Sequence, residues 1–249
     1  MGDQREDGRA VSMNTGTRSD KAFKNIIFDV DGTLLDSKRD IAAAQLWTFR
    51  QFGINSLKPE DIYPLIGKPL AETFAILLPQ QLHDRIPEAG LLYRDYYRAH
   101  AFDTTTLFPG VLETVTALKA RGLRLATATT KSTETTGKVL AHFGIAEYFS
   151  HIQGTDNGIF KPDPFIINTI LSTMKWHRDE TLMVGDTDKD IDVGKNAGVR
   201  TCGVTYGSFS RLQISALNPD WIVDQLPDLL QIIGQTVLSH SASQNIRGH

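Results

Sequence analysis

In the stretch FDVDGTLLDS, residues 28–37, the carboxylates of Asp29 and Asp31 are separated by a single residue, at the end of an apolar run and against a Gly-Thr turn. Two anions this close repel, so the pair is either a strand ending in an ordinary Asp-Gly turn or a metal site with a nucleophile in it. Three further stretches carry groups that handle phosphate, each after an apolar run: Thr129-Thr130-Lys131-Ser132, Lys161-Pro162-Asp163-Pro164 and Gly185-Asp186-Thr187-Asp188-Lys189-Asp190. Singly, each has a plainer explanation. A Thr-Thr-Lys-Ser run suits a helix N-cap, and a lysine before Pro-Asp-Pro suits a solvated loop. Asp188 at a helix start is accounted for by capping and the helix dipole, and receives no catalytic role.

The elements that must position these groups follow from the apolar periodicity. NIIFDV (25–30), LRLATA (123–128), TLMVGD (181–186), RTCGVT (200–205) and WIVD (221–224) are short apolar runs closed by Gly, Thr or Asp, which predicts buried strands. Helical patterns lie between most of them. PGVLETVTALKARG, STETTGKVLAHFG and KDIDVGKNAG end on Gly122, Gly144 and Gly198, the C-terminal glycine that helices favour. Strand, helix, strand in succession predicts an α/β fold, a doubly wound parallel sheet. The interval from 37 to 108 breaks that rhythm. DIAAAQLWTFRQFG, PLAETFAILL and PEAGLLYRDYYRAH are helical with no strand between them, which predicts a helical insert able to cover the carboxyl ends of the strands.

Composition limits the partners. The 249 residues are 41% hydrophobic and 22% charged, enough for a sizeable core. A net charge of -3, a pI near 6.2 and the lack of a long Lys/Arg block provide no field for nucleic acid. One cysteine, Cys202, cannot form an internal disulfide and is expected to be a core thiol in a reducing compartment. The polar stretches 1–22 and 238–249 read as disordered tails, without a secretory leader, and no run of eighteen apolar residues offers a membrane span. The expected location is the cytoplasm.

Taken together, DVDGTLLDS, ATATTKS, FKPDP and VGDTDKD resemble the four motifs of the haloacid dehalogenase superfamily, in its phosphoglycolate phosphatase-like branch, from about Lys24 to Leu230. The resemblance implies a Rossmann-like core on 23–36 and 109–237, with 37–108 as an inserted helical cap domain. It also implies Mg²⁺, because a carboxylate attacks an anionic phosphate only once a cation neutralises the site. The metal set it implies is Asp29, the backbone carbonyl of Asp31, Asp186 and Asp190, the last of these holding a metal-bound water. Asp29 would attack to give an aspartyl-phosphate, and Asp31, on the same side of an extended chain, would act as general acid and then base. Thr129 and Lys161 would stabilise the transferring phosphoryl, with Thr33, Thr130 and Lys68 binding substrate. The chain departs from the branch at Thr130, where Asn or Ser is usual. The expected reaction is Mg²⁺-dependent hydrolysis of a small phosphorylated metabolite, phosphoglycolate-like, with pyrophosphate, nucleotides and sugar phosphates also open.

Three other readings use similar groups. A response-regulator receiver also has an acidic Mg²⁺ pocket, a Thr/Ser and a Lys, but is about half this length and lacks the helical insert and Asp31. A sugar-phosphate mutase needs basic groups in the cap for a second phosphate, for which Lys68, Arg94 and Arg98 are candidates. A phosphonate hydrolase needs a cap lysine for an imine, and Lys68 in LIGKPLAETF is the candidate. Asp31 favours phosphoryl transfer over dehalogenation, since a departing halide needs no proton.

Overall fold

The computed structural model describes residues 12–13 and 22–234. After an edge strand β1 (Ser12–Met13), β2 (Asn25–Phe28) runs to the acidic turn, and β3 (Leu35–Asp36) leads into α1 (Lys38–Gln51), α2 (Pro59–Ile62), α3 (Leu70–Leu77) and α4 (Ile86–His100). The chain returns through β4 (Thr106–Leu107) and α5 (Val111–Ala120) to β5 (Arg124–Ala128), α6 (Thr133–His142), β6 (Phe149–Gln153) and α7 (Phe165–Met174). It ends with β7 (Thr181–Gly185), α8 (Asp188–Asn196), β8 (Arg200–Val204), α9 (Arg211–Ala216) and β9 (Trp221–Val223).

The main sheet has the order β1-β9-β8-β7-β2-β5-β6, parallel throughout except for β1 against β9. The chain steps from β2 to β5 and β6, then crosses back to β7 on the other flank of β2. That reversal opens a crevice at the carboxyl ends of β2, β5 and β7, where open parallel sheets bind ligands. Both faces are covered. Ile26 and Phe28 pack with Val111, Val115 and Leu118 of α5 and Val139 and Leu140 of α6, whereas Ile27 packs with Ile166, Ile167 and Ile170 of α7 and Val193 of α8. Alternation along β2 thus feeds two apolar layers, which is why the central strands read as continuous apolar runs. Gly122, Gly144 and Gly198 take φ of 79°, 66° and 73°, the left-handed conformation expected where the helices stop.

Helices α1 to α4 form the insert, around Phe49, Ile62, Phe74 and Ala89, with Tyr97 packed against Ile41 and Ala44. Its two connections are tied together twice. Strands β3 and β4 pair antiparallel, and the buried Asp40 carboxylate accepts from both N–H and both hydroxyl groups of Thr104 and Thr105, at 2.6 to 3.1 Å. Burial opposes ionisation of Asp40, but those bonds outweigh it and hold the carboxyl below its ordinary range.

Three features differ from the sequence reading. Strand β6 (FSHIQ) is an edge strand in which only Phe149 is buried, so its apolar run is broken. Strands β3 and β4 are two residues each, too short for any periodicity. Within the stretch read as an N-terminal tail, Ser12–Met13 pairs with Trp221 and Ile222, while the rest of 1–21 and all of 235–249 lie outside the described residues. Cys202 is buried in β8, as expected of a core thiol, and burial pushes its pKa up. Among the described residues no helix is long and apolar enough to cross a membrane.

Candidate active site

Asp29, Thr129 and Asp186 each follow the last residue of a neighbouring strand, β2, β5 and β7, so parallel register alone brings them to one edge. Lys161 enters from the loop between β6 and α7 through a cis Lys161–Pro162 peptide, and Asn196 Nδ2 donates to the Pro162 carbonyl at 2.9 Å. Helix α7 begins at Phe165 with Pro164 at the cap position, and the Asp163 carboxylate accepts from Phe165 N–H at 2.8 Å. The buried Lys161 ammonium donates to Asp29 Oδ1 at 2.7 Å, Asp190 Oδ1 at 2.6 Å and the Ala128 carbonyl at 3.0 Å. All three of its protons are used.

Asp190 has a second role. Thr187 is the N-cap of α8, and Asp190 Oδ2 accepts from Thr187 N–H at 3.0 Å and its hydroxyl at 2.7 Å, completing a capping box. The cap assigned to Asp188 is therefore formed by Thr187 and Asp190. Asp188 instead lies 3.3 Å from Lys189.

Asp186 is fully buried, its Oδ1 accepting from the Thr33 hydroxyl at 3.2 Å and its Oδ2 from Ser208 N–H at 2.7 Å. Gly32, with φ of 89°, brings the turn backbone against this carboxylate, and a Cβ at Gly32 or Gly207 would collide with it. Thr33 is completely buried, so it steadies Asp186 rather than meeting substrate as the resemblance implies.

Oxygens of Asp29, Asp186 and Asp190 lie within 4.8 Å of one another. Burial pushes Asp29 well above the carboxylate range despite Lys161, with Asp190 and Asp186 adding to the rise. Burial and then Asp190 push Asp186 up to about 6, against the hydrogen bonds from Ser208 and Thr33. The site's four carboxylates, Asp31 included, have two ammonium partners, Lys131 and Lys161, which leaves two negative charges unbalanced when all are ionised. An all-oxygen donor set with that surplus fits Mg²⁺.

A pH test follows. Asp186 is raised in the folded chain, so its contribution to stability is present below the unfolded value near 3.8 and is lost as pH rises through about 6. A shift of this size corresponds to about 3 kcal/mol, which a bound dication would offset only once the carboxylate ionises. Thermal unfolding with Mg²⁺ or with chelator is expected to show a larger Mg²⁺-induced rise in Tm at pH 7.5 than at pH 5. An equal rise at both would remove Asp186 from the metal set.

Asp31 sits apart from this cluster. Its Oδ1 accepts from the Ser37 hydroxyl and its Oδ2 from Lys131 Nζ at 2.5 Å. The Lys131 ammonium also lies 4.8 Å from the centre of the Tyr97 ring of α4, so core and insert meet on it. Although burial pulls the Lys131 ammonium down, Asp31, Tyr97 and Tyr93 hold its pKa above the usual value. The crevice is lined by Asp29, Asp31, Thr129, Thr130, Lys161 and Asp190 together with Thr187, Lys189 and Ser208, and closed from the insert by Ile66 and Gly67.

Lys68, expected to read substrate, does not line the crevice. It is bound at 2.6 Å to Glu72 one turn along, a pair made by helical spacing. Arg98 is likewise bound to Asp95, at 3.2 Å, with its side chain 68% exposed. The sequence reading passed over Lys131, Ser37 and Ser208. Lys131 stands in the quoted Thr-Thr-Lys-Ser run, where Ser132 does cap α6, accepting from Thr135 N–H at 3.2 Å, but nothing local ties a lysine to a carboxylate 100 positions away.

A parallel sheet with this crevice, a buried acid cluster and a lysine bridging two carboxylates defines a class of hydrolase, and the family comparison agrees. The family model for haloacid dehalogenase-like hydrolases matches residues 26–204, and the chain belongs to that family. Within it, the chain is 35% identical over 213 residues to pyrophosphatase PpaX of Halalkalibacterium halodurans, covering 85% of this chain and 97% of that one. It is 36% identical over 220 residues to a phosphoglycolate phosphatase of Vibrio vulnificus, covering 85% and 96%. The crystal structure of a predicted phosphoglycolate phosphatase from Haemophilus somnus superposes with a TM-score of 0.78 at 30% identity, over 84% of this chain and 97% of that one.

Proposed function

We propose that the protein is a Mg²⁺-dependent phosphatase of small phosphate monoesters or anhydrides, acting through a phosphorylated Asp29. The observation that carries this reading is the set of four carboxylates and two lysines at the carboxyl ends of β2, β5 and β7, with the surplus negative charge a dication would balance. Similarity to enzymes named pyrophosphatase and phosphoglycolate phosphatase supports both substrate classes.

Asp29, Asp186 and the Asp31 carbonyl would hold the metal, and Asp190, whose two oxygens already serve Lys161 and Thr187, would reach it through water. When bound, Mg²⁺ would supply charge neutralisation of the phosphoryl oxygens. Asp29 is the nucleophile. Its carboxylate is aimed by Lys161, which favours the ionised form against burial and whose ammonium can follow charge onto the phosphoryl group. Thr129, at the end of β5, lines the crevice with a hydroxyl that can donate to the same oxygens. Asp31, held by Ser37 and Lys131, protonates the departing oxygen and then deprotonates the water that cleaves the acyl phosphate. The insert, 37–108 in this reading, closes the crevice against bulk water through Ile66 and Gly67, and the core spans 23–36 and 109–237. A buried, unpaired Cys202 suits a reducing cytoplasm.

The test is orthophosphate release from a panel of phosphate esters, nucleotides and pyrophosphate, with Mg²⁺ and with chelator. Mg²⁺-dependent turnover of at least one small member is expected. No turnover of any member, with or without a sugar bisphosphate to prime a mutase, would reject the reading.

A further inference from the structure

The mechanism uses Lys131 only as a support for Asp31, yet its position relative to a leaving group says more. If Asp31 protonates the departing oxygen, that oxygen sits about 2.7 Å from an Asp31 oxygen. Lys131 Nζ is 2.5 Å from Asp31 Oδ2, so an atom two or three bonds beyond the bridging oxygen falls within reach of this ammonium. Lys131 stands behind Asp31 rather than on the crevice lining, and the other cations are engaged elsewhere: Lys189 lines the crevice but lies 3.3 Å from Asp188. Lys161 spends its three protons on Asp29, Asp190 and Ala128. Lys68 is paired with Glu72 and Arg98 with Asp95. The insert closes the crevice with Ile66 and Gly67, which carry no charge. An anionic leaving group entering between Asp29 and Asp31 would meet uncompensated repulsion unless a cation turned toward it.

The geometry points to Lys131 as the specificity-determining residue: its ammonium passes from Asp31 to an anionic oxygen on the leaving group, selecting short substrates with a second anion two or three bonds from the bridging oxygen. A 2-phosphocarboxylate or inorganic pyrophosphate fits, since each sets a carboxylate or phosphate at that distance. A sugar phosphate or nucleoside monophosphate offers only neutral ether and hydroxyl oxygens there. The face of Tyr97 keeps the ammonium in place after it leaves Asp31, because a ring face attracts a cation whatever its anion partner. This inference deepens the phosphatase reading and rests on it.

The experiment compares 2-phosphoglycolate with ethyl phosphate, which keeps the alkyl oxygen and lacks the carboxylate, for wild type, Lys131→Met, Lys131→Arg and Lys189→Met. Lys189 is included because it also lines the crevice. Wild type is expected to favour phosphoglycolate in kcat/KM at least 100-fold, and Lys131→Met to reduce that ratio at least 30-fold, chiefly through KM. Lys131→Arg should retain most of the preference, and thermal unfolding checks that each variant is folded. Pyrophosphate as the better substrate with the same dependence on Lys131 would support the inference and name phosphate as the second anion. Equal losses on both esters would overturn it, leaving Lys131 as a support for Asp31 alone, and so would a loss of preference in Lys189→Met instead. If wild type turns over neither ester nor pyrophosphate but releases phosphate from a sugar phosphate or nucleotide, this inference is overturned and the phosphatase reading stands; if no phosphorylated compound is turned over with Mg²⁺, both fail.

Discussion

Asp29→Asn is expected to abolish Mg²⁺-dependent phosphate release, by at least about 10⁴-fold, while leaving a folded protein whose metal-free Tm at pH 7.5 equals or exceeds that of wild type. The two effects have one cause. Among the described residues Asp29 is the only carboxylate that both lines the crevice at the end of the central strand and is aimed by Lys161, so the amide removes the attacking oxygen with almost no change of shape. The same carboxylate is buried beside Asp186 and Asp190, and its pKa is driven well above the ordinary range, so its charge costs stability when no metal is bound. Lys161 retains Asp190 and the Ala128 carbonyl in the variant, which keeps that ammonium from being orphaned. Because one metal oxygen is also lost, the Mg²⁺-induced rise in Tm should shrink. Phosphate release combined with thermal unfolding checks all of this, and residual turnover within about 100-fold of wild type would mean that another group attacks phosphorus.

Lys161→Met is expected to cost both activity and stability. Methionine fills the space but leaves Asp29 and Asp190 facing each other in the interior, and removing one partner of a buried ion pair costs about 3–5 kcal/mol. For a chain of this size that corresponds to a fall of roughly 10 °C in Tm. The loss should be smaller at pH 5 than at pH 7.5. Without Lys161 the burial that raises Asp29 acts unopposed, so its proton is retained to higher pH and the repulsion is removed at the acidic end of the range. Turnover should fall by about 10³-fold or more, since both the aim of the nucleophile and a charge on the phosphoryl group are lost. Urea and thermal unfolding at the two pH values are the readout, and a Tm within about 2 °C of wild type would show that Lys161 is not the counter-charge of this pair.

Much of the architecture is legible in the sequence because it is local. The apolar runs at 25–30, 123–128, 181–186, 200–205 and 221–224 are strands, since residues buried on both faces of a parallel sheet leave no polar alternation. Glycines after the helices take the left-handed conformation that other residues reach at a cost. Strand β6 is not legible because an edge strand is half solvated, and β3 and β4 are not because pairing across 70 and 72 positions makes them strands and their own two residues do not.

The site divides along the same line. Asp29, Asp31, Thr129 and Asp186 are visible because each sits just past an apolar run, and parallel register carries strand ends to one edge, whereas Lys161 is visible only through the FKPDP motif of its loop. Tertiary structure decided which way the side chains turned. Thr33 points inward to Asp186, Asp190 closes a capping box as well as holding Lys161, and Lys68 turns along its own helix to Glu72. Lys131 is set against Asp31 and Tyr97, partners 100 and 34 positions away, by the packing of the insert on the core. Residue type and periodicity determined the fold and the chemistry available. Contacts between distant segments, which leave no periodic trace in the chain, decided which groups face the substrate.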